Sequence, residues 1–514
     1  MKKIFYLCLL FVGALSVQSC LNDLDTEPVV ELTLDELLAK DPNAIEGITS
    51  RLYASFALSG PDGPESSDIS DDAGESPFLR GIVNLQDFTA DAMKNRWGDD
   101  GLDQLTTTSN WDENNKFFRY MYNRIYYTIP QTNNLMQVLN NVDFEGKTEV
   151  SAEVRFLRSL AYYYQIDCFG KGVLATEENI GTSSPLPESS RLELFNYVES
   201  ELLAIENELP TTNDYGRANK SVGRMLLAKL YINAEVYTGT PRYDDAATYI
   251  SKVIDEGGYS LSNDFVSNFS GDNYSSTEII FPLIADADIS QSYGNTTYII
   301  NGSLSTETMP INNFGATDGW GGHRSSKAWY GLFNKVGADA TDDRAKLFWT
   351  EGHAYEMADY KKWTDGYPSI KFRNSNFSGT SVASAFSSTD FPLFRLADAY
   401  LMYAECAVRG AAGTDMGTAL NYVNKVRTRA NASTINSSDL NLNFLLIERG
   451  RELNLEGHRR SDLIRFGKFT GGSYLWPWKG NTLNGASIPS TYKLFPIPLT
   501  ALEANPNLEQ NPGY

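Results

Sequence analysis

The sequence predicts a mostly α fold, a superhelix of helical hairpins that carries one large irregular insertion. Across much of residues 41–256 and 391–468, apolar residues recur every three or four positions. That period is typical of amphipathic helices. Between the two regions, from 257 to 390, Gly, Ser, Asn, Thr and aromatic residues dominate and the helical period fades. A long irregular segment inside a compact protein usually has a function.

The first 19 residues have the layout of a secretory signal peptide. Lys2 and Lys3 precede an apolar run from 4 to 17, and Cys20 follows Ser19 at the expected cleavage point. The run is too short for a transmembrane helix, which needs about 20 apolar residues. We therefore predict a signal peptide over 1–19, a lipidated tether over 20–40 anchored through Cys20, and a single body over 41–514.

The first helical region contains several predicted helices and two predicted loops. The loops are 60–77, which is rich in Gly, Pro, Ser and Asp, and 94–101, which carries Trp97 at its tip. The predicted helices cover 41–58, 78–93, 117–141, 149–169, 192–209, 219–236 and 243–256. A weak internal echo links Ala234-Glu235 and the helix after it to Ala404-Glu405 and the helix after that. Degenerate echoes of this kind are typical of repeated helical pairs.

The second helical region predicts three helices over 391–468, followed by an irregular tail over 469–514. Pro392 stands at a predicted helix start, and Ser438 or Asp439 is the predicted cap of the third helix. A dense set of charges favours ion pairs at i,i+3 and i,i+4, with a surface that contacts a partner as the alternative. Its members are Glu448, Arg449, Arg451, Glu452, Arg459, Arg460 and Asp462. The tail is expected to pack back across the helices.

Composition and motifs exclude several classes of function. The net charge of −22 argues against nucleic-acid binding, because phosphate contacts need Lys and Arg. No zinc motif, P-loop or Gly-x-Ser-x-Gly elbow occurs in a suitable setting. A glycosidase pair stays open, because it needs only two carboxylates about 5–10 Å apart. Cys168 and Cys406 are predicted to be buried free thiols, with a single disulfide as the alternative.

Four stretches carry a resemblance to a known family. They are FPLFRLADAYLMYAE (391–405), the Glu-Arg-Gly-Arg-Glu run (448–452), LEGHRRSDLIRFGKF (455–469) and the tail YKLFPIP…NPNLEQNPGY (492–514). They resemble the SusD/RagB family of nutrient-binding lipoproteins of the Bacteroidetes outer membrane, and matching stretches run from Cys20 to Tyr514. The resemblance implies a tetratricopeptide-like scaffold that is not an enzyme, requires no cofactor, binds glycan at the cell exterior and partners a SusC-like TonB-dependent barrel.

Four further stretches resemble the starch-binding prototype of that family: GESPFLR (74–80), FTADAMKNRW (88–97), QSYGNTTYII (291–300) and TDGW (317–320). The resemblance implies a starch or maltooligosaccharide site with an aromatic arc of Trp97, Tyr293 and Trp320 and polar contacts from Asp72, Arg80 and Asp100. Two residues depart from its pattern, Asp100 where an amide is expected and Asn95 where another aromatic is expected. The resemblance also implies calcium between Asp272 and Asp415, with ordinary solvated loops as the alternative.

Functions besides α-glucan binding remain open. Tyr and Trp rings stack on the apolar faces of sugars, but most of the aromatic residues of any chain fill its core. The alternatives are a binder of another glycan or of peptide, a glycoside hydrolase, and a scaffold whose helices bind only protein.

Overall fold

The computed structural model describes residues 43–69, 72–98, 101–379 and 382–514. The signal peptide, the tether with Cys20, and Asp100 lie outside the described residues. Residues 49–514 belong to one compact unit. The helices of the first region are α1 (Ala44–Ala54), α2 (Phe78–Ile82), α3 (Leu102–Thr107), α4 (Lys116–Asn141), α5 (Lys147–Cys168), α6 (Arg191–Ile205), α7 (Lys220–Ile232), α8 (Ala234–Thr238) and α9 (Tyr243–Glu256). A π-helical segment, Val83–Phe88, follows α2 directly.

The helices of the second region continue the same architecture. They are α12 (Leu396–Val408), α13 (Met416–Arg429), α14 (Leu442–Leu453) and α15 (Arg459–Arg465), and α16 (Leu499–Ala504) lies in the tail. Helices that follow one another pack as pairs, α4 with α5, α5 with α6, and α12 with α13. α9 packs against both α7 and α12, so it joins the two regions. These pairings confirm the predicted mostly α fold of packed helical hairpins.

Local chemistry explains where several helices begin. Ser190 caps α6 through a capping box, in which its side chain accepts from the Glu193 N–H while the Glu193 carboxylate accepts from the Ser190 N–H. Asn115 caps α4 by accepting from the Phe117 N–H at 3.0 Å. α12 is buried along almost its whole length, and its Ala404, Cys406 and Ala407 allow close packing.

The segment 257–390 contains short elements separated by turns. They are β4 (Ile279–Leu283), α10 (Thr296–Ser303), β5 (His323–Ser325) and α11 (Lys327–Tyr330). β4 pairs antiparallel with β6 (Phe391–Arg395), and β5 pairs antiparallel with β1 (Met93–Asn95). A third small ribbon joins β2 (Gly172–Val173) to β3 (Glu188–Ser189). Through β1 and β5 the segment is attached to the first helical region.

Three local predictions were wrong. Pro392 does not begin a helix but lies in β6, directly opposite Pro282 of β4, where neither residue has an N–H to leave unpaired. Lys94 and Asn95, predicted to lie in a loop, belong to β1. Asn441 caps α14 by accepting from the Phe444 N–H at 3.0 Å, while Ser438 and Asp439 form a separate 3₁₀ turn.

The charged set around α14 is also organised differently from the prediction. The i,i+3 pair of Arg451 with Glu448 is present, but most of the partners come from distant segments and are buried. Arg459 pairs with Asp91 at 2.7 Å, and Arg449 pairs with Asp398 at 2.8 Å. Arg460 donates to backbone carbonyls of the tail. Since six of the seven side chains are buried, the cluster is not an exposed contact surface.

The tail packs back across the helices, as predicted. The Phe495 N–H donates to the Cys168 carbonyl at 2.8 Å, and Tyr492 stacks on Trp111 with ring centroids 4.4 Å apart. Cys168 and Cys406 are free and buried, which confirms the thiol prediction and excludes a bond between them. Burial raises the pKa of both thiols. Within the described residues, no helix combines the length and the apolar character that a membrane crossing would need.

Candidate functional site

The ribbon of β1 and β5 brings Trp97 and Trp320 together. Asn95 lies opposite His323, and the pairing continues with a 3.1 Å bond from the Arg96 N–H to the Gly322 carbonyl. The chain therefore places Trp97, just beyond β1, beside Trp320, just before β5. The Trp97 indole N–H donates to the Trp320 carbonyl at 3.3 Å. The two ring centroids are 6.4 Å apart and the ring planes are inclined by 53°.

Gly322 and Asn95 fix the position of Trp97. A Cβ atom on Gly322 would lie 2.4 Å from the Trp97 ring, so only glycine allows the indole to lie this close to the backbone. Asn95, which stands where another aromatic residue was expected, is fully buried. Its side-chain oxygen accepts a hydrogen bond from the backbone N–H of Trp97 at 2.7 Å. Asn95 therefore fixes the backbone of Trp97 and does not itself contribute to a binding surface.

α10 positions the other side of the site. Tyr293 lies just before this helix, and its ring centroid is 6.4 Å from that of Trp320, with the planes inclined by 49°. The Trp320 N–H donates to the Asn301 carbonyl of α10 at 2.7 Å. The structure thus brings the three predicted rings together in the order Trp97, Trp320, Tyr293, and each ring is half-buried.

The loop that leads into α2 lies beside Tyr293. A Cβ on Gly74 would be 3.6 Å from the Tyr293 Cβ and 3.7 Å from an oxygen of Asp72. Asp72 is half-buried, and its Oδ1 accepts from the Glu75 N–H at 2.9 Å. Asp72 therefore lies close to Tyr293, and its role as a polar contact for a ligand stays a prediction.

The Arg80 side chain is buried more deeply than is expected for a residue that contacts a ligand directly. Its side chain donates to the Gly74 carbonyl at 3.0 Å and to Glu75 at 3.3 Å. Its guanidinium carbon lies 4.2 Å from the ring centroid of Tyr298. Burial raises the pKa of Glu75, although Arg80 and Lys116 act against that rise. Arg80 is only 7% exposed, so its main role in this structure is to hold the loop.

Sequence reasoning did not name three residues of the site. Asp318 accepts from the Trp320 indole N–H at 2.8 Å, and its position two residues before Trp320 in TDGW was an available signal. Partial burial and then a hydrogen bond with Glu65 raise the pKa of Tyr293. Phe386 lies with its ring centroid 5.0 Å from that of Tyr293. Glu65 and Phe386 lie in polar segments without any period, so no pattern pointed to them.

The two residues of the expected calcium site have other partners. Asp272 accepts from the Phe377 and Ser378 N–H groups at 2.7 and 3.2 Å. Asp415 caps α13 by accepting from the Thr418 N–H at 2.7 Å. Across the part of the chain that the structure describes, no group of three or more His, Cys, Asp or Glu could hold a metal ion. A calcium site between Asp272 and Asp415 stays a prediction.

Comparison with known proteins places the chain in one family. The sequence model of the SusD family matches residues 257–514. Starch-binding protein SusD of Bacteroides thetaiotaomicron is 32% identical, and the alignment covers 100% of this chain and 99% of that protein.

Solved structures have the same fold. Surface glycan-binding protein A from Bacteroides thetaiotaomicron, in complex with laminarihexaose, has a TM-score of 0.69 at 20% identity, covering 91% of this chain and 99% of that one. A laminarin binding SusD-like protein has a TM-score of 0.70 at 20% identity, covering 92% and 99%. On the match of the family model and the full-length relative, the chain belongs to the SusD family.

Proposed function

We propose that this protein is a non-catalytic binder of α-glucan, starch or maltooligosaccharide, and that the ligand lies across Trp97, Trp320 and Tyr293. The observation that carries the proposal is the succession of three half-buried rings whose planes are inclined by 53° and then 49°. A flat platform would suit a straight polymer. Faces set at angles to one another suit a curved chain such as an α-1,4-glucan, because each successive sugar can meet a ring.

The polar groups beside the rings supply the second half of sugar recognition. Sugar hydroxyls need acceptors and donors at the edge of an apolar surface. Asp72 and Asp318 place carboxylate oxygens there, and the Tyr293 hydroxyl is already held by Glu65. With a net charge of −22, the protein favours a neutral polymer over an acidic one.

The full-length similarity to a protein named for starch binding supports α-glucan as the first candidate. A β-glucan is the second candidate, because two proteins of the same fold are described with laminarin or laminarihexaose. The two candidates differ in glycosidic linkage, so they are separable by experiment. Native gels cast with starch, with glycogen or with laminarin test both. Retardation in starch and glycogen but not in laminarin supports the proposal, and the reverse pattern supports the second candidate.

A protein-only scaffold and a glycoside hydrolase predict different results in such assays. The scaffold predicts no retardation in any glycan gel. The hydrolase predicts release of reducing sugar from starch, for which Glu75 is the candidate acid because burial raises its pKa. We expect no release, since Glu75 is paired with Lys116 at 2.6 Å. Steady production of reducing ends by the purified protein would overturn the non-catalytic part of the proposal.

We further propose that the protein is anchored at the outer face of the outer membrane through a lipid on Cys20 and delivers its ligand to a SusC-like TonB-dependent barrel. The signal-peptide layout before Cys20 supports the anchor. We expect Cys20→Ala to move the protein from the membrane fraction to the soluble fraction without changing its starch retardation. Membrane attachment that survives this change would rule out Cys20 as the anchor.

A further inference from the structure

Phe386 continues the row of rings beyond the residues that the resemblance identified. Its ring centroid is 5.0 Å from that of Tyr293, and the two planes are inclined by 48°. The two earlier steps, from Trp97 to Trp320 and from Trp320 to Tyr293, have inclinations of 53° and 49°. The fourth ring is therefore inclined to the third by nearly the same angle as the third to the second, at a shorter centroid distance. Like the others, Phe386 is half-buried rather than part of the core.

The backbone around Phe386 is fixed by the same helix that fixes the other rings. In α10, the Asn301 side chain donates to the Ala385 carbonyl at 3.1 Å, while the Asn301 carbonyl accepts from the Trp320 N–H at 2.7 Å. The Thr297 hydroxyl accepts from the Ser387 N–H at 3.0 Å. Asn301 thus connects the segments that carry Trp320 and Phe386, and Thr297 secures the other side of Phe386.

A second attachment comes from Asn374. Its side chain donates to the Phe386 carbonyl at 3.1 Å and accepts from the Ser388 N–H at 2.8 Å. Phe386 is therefore held between fixed backbone groups on both sides, although its neighbours Val382 and Ala385 are exposed. The backbone that carries the ring is thus already ordered before a ligand stacks on it, which lowers the entropic cost of binding.

We propose that Phe386 forms a fourth saccharide subsite at the Tyr293 end of the aromatic row, and that it makes the protein selective for longer neutral glucans. The proposal rests on the function proposed above. A short oligosaccharide that covers Trp97, Trp320 and Tyr293 does not reach Phe386. A longer chain reaches all four rings and gains one further stacking contact.

The test compares maltotriose with maltoheptaose by calorimetry on the parent and on Phe386→Leu. Leucine keeps apolar packing but has no ring face. We expect the Kd for maltoheptaose to rise about three- to tenfold, as for the loss of one aromatic contact, and the Kd for maltotriose to stay within about twofold. Phe386→Trp should restore or tighten the binding of maltoheptaose.

Phe377→Leu is the matched control, because this ring is 51% exposed and no ring pair among the described residues joins it to the four rings. An unchanged Kd for maltoheptaose in Phe386→Leu would overturn the fourth subsite. An equal loss of affinity for both sugars would also overturn it, since that result means a distorted site.

Trp320→Ala separates the two proposals. If it weakens maltoheptaose while Phe386→Leu does not, the fourth subsite fails and the three-ring site stands. If neither change matters, or if the parent binds neither sugar, both proposals fail.

Discussion

Trp97 and Trp320 belong to one site but differ in how firmly the protein holds them. Trp97 lies against Gly322 and contacts Tyr298 and His323, with ring centroids 6.1 and 5.2 Å away. Trp320 has its indole N–H on Asp318 and its ring between Trp97 and Tyr293. Burial and two nearby guanidinium groups hold the pKa of His323 well below its usual value, so the imidazole is neutral. The neutral ring packs against the Trp97 indole.

At the residue scale we therefore expect Trp320→Ala and Trp97→Ala to behave differently. Each should weaken starch retention about three- to tenfold through the loss of a stacking contact. Trp320→Ala should cost about 1 kcal/mol of unfolding free energy, whereas Trp97→Ala should cost about 2–3 kcal/mol because it leaves a cavity above His323. Affinity gels and urea unfolding measure the two effects separately.

Trp476→Ala is the control for a purely structural tryptophan. Its ring is 1% exposed and packs with Phe469 and Tyr474 in the tail. We expect a loss of about 3–5 kcal/mol in stability with starch retention unchanged in the protein that stays folded. If Trp320→Ala lost as much stability as Trp476→Ala, Trp320 would be a core residue and not a binding surface.

At the scale of elements, the helical period predicted the long helices well and the short elements poorly. The helix predicted over 243–256 has the observed bounds of α9, because its apolar face repeats without interruption. β1, β5 and β6 were missed, since two of them have three residues each and the third has five, all buried. Strands this short show no alternation, and their pairing partners are more than 100 residues away in the chain.

The candidate site was likewise predicted only in part. Its rings were named by resemblance, but the ribbon and the helix that bring them together could not be derived from local pattern. Contacts between residues far apart in the chain determine the register of β1 with β5, the role of Asn301 and the position of Phe386. The buried partners of Glu448 and Glu452 were missed for the same reason.

Gly322→Ala tests the ribbon as an element. The added methyl group would lie 2.4 Å from the Trp97 ring, so the indole must move. We expect starch retention to fall by at least about threefold, as after loss of part of one aromatic contact, together with a change in tryptophan fluorescence. Gly472→Ala is the control, because its added methyl group meets Ser487 at an ordinary 3.7 Å. Normal retention in Gly322→Ala would show that the position of Trp97 on the ribbon does not matter for binding.

At the scale of the whole molecule, a buried charge network joins the segment 257–390 to the helical regions. Its centre is Glu452 of α14, which accepts from Arg344 at 2.9 Å, from Arg395 of β6 at 2.8 Å, and from Arg429 of α13. Arg395 also pairs with Glu278, just before β4, at 2.8 Å. These side chains are nearly all out of contact with solvent. Removing one member leaves the others buried without full compensation, which is costly.

The network makes stability depend on pH in a defined direction. Burial alone would raise the pKa of Glu452, but Arg429, Arg395 and Arg344 outweigh it and hold the pKa well below its usual value. Asp462 behaves similarly, with its pKa lowered to about 2 against burial by Arg449 and Arg465. A carboxylate whose folded pKa is lowered stabilises the protein above its unfolded pKa of about 4 and loses that contribution as the pH falls. Asp87 acts in the opposite direction between about pH 4 and 7, because burial raises its pKa to about 7.

We therefore expect Glu452→Gln to lower the free energy of unfolding by about 3–5 kcal/mol at pH 7. The difference in unfolding free energy between Glu452→Gln and the parent should narrow as the pH falls from about 5 to 2. Over this range Glu452 becomes protonated in the unfolded parent, while its lowered pKa keeps it charged in the folded parent. Asp87 is present in both proteins, so its opposing contribution cancels in the difference. Urea unfolding at a series of pH values gives both the loss of stability at pH 7 and its change with pH.

Glu256→Gln is the control, since that side chain is 57% exposed and its pair with Arg224 should contribute no more than about 1 kcal/mol. If Glu452→Gln were as mild as Glu256→Gln, or if its deficit stayed constant down to about pH 2, the buried charges would not hold the two parts of the molecule together.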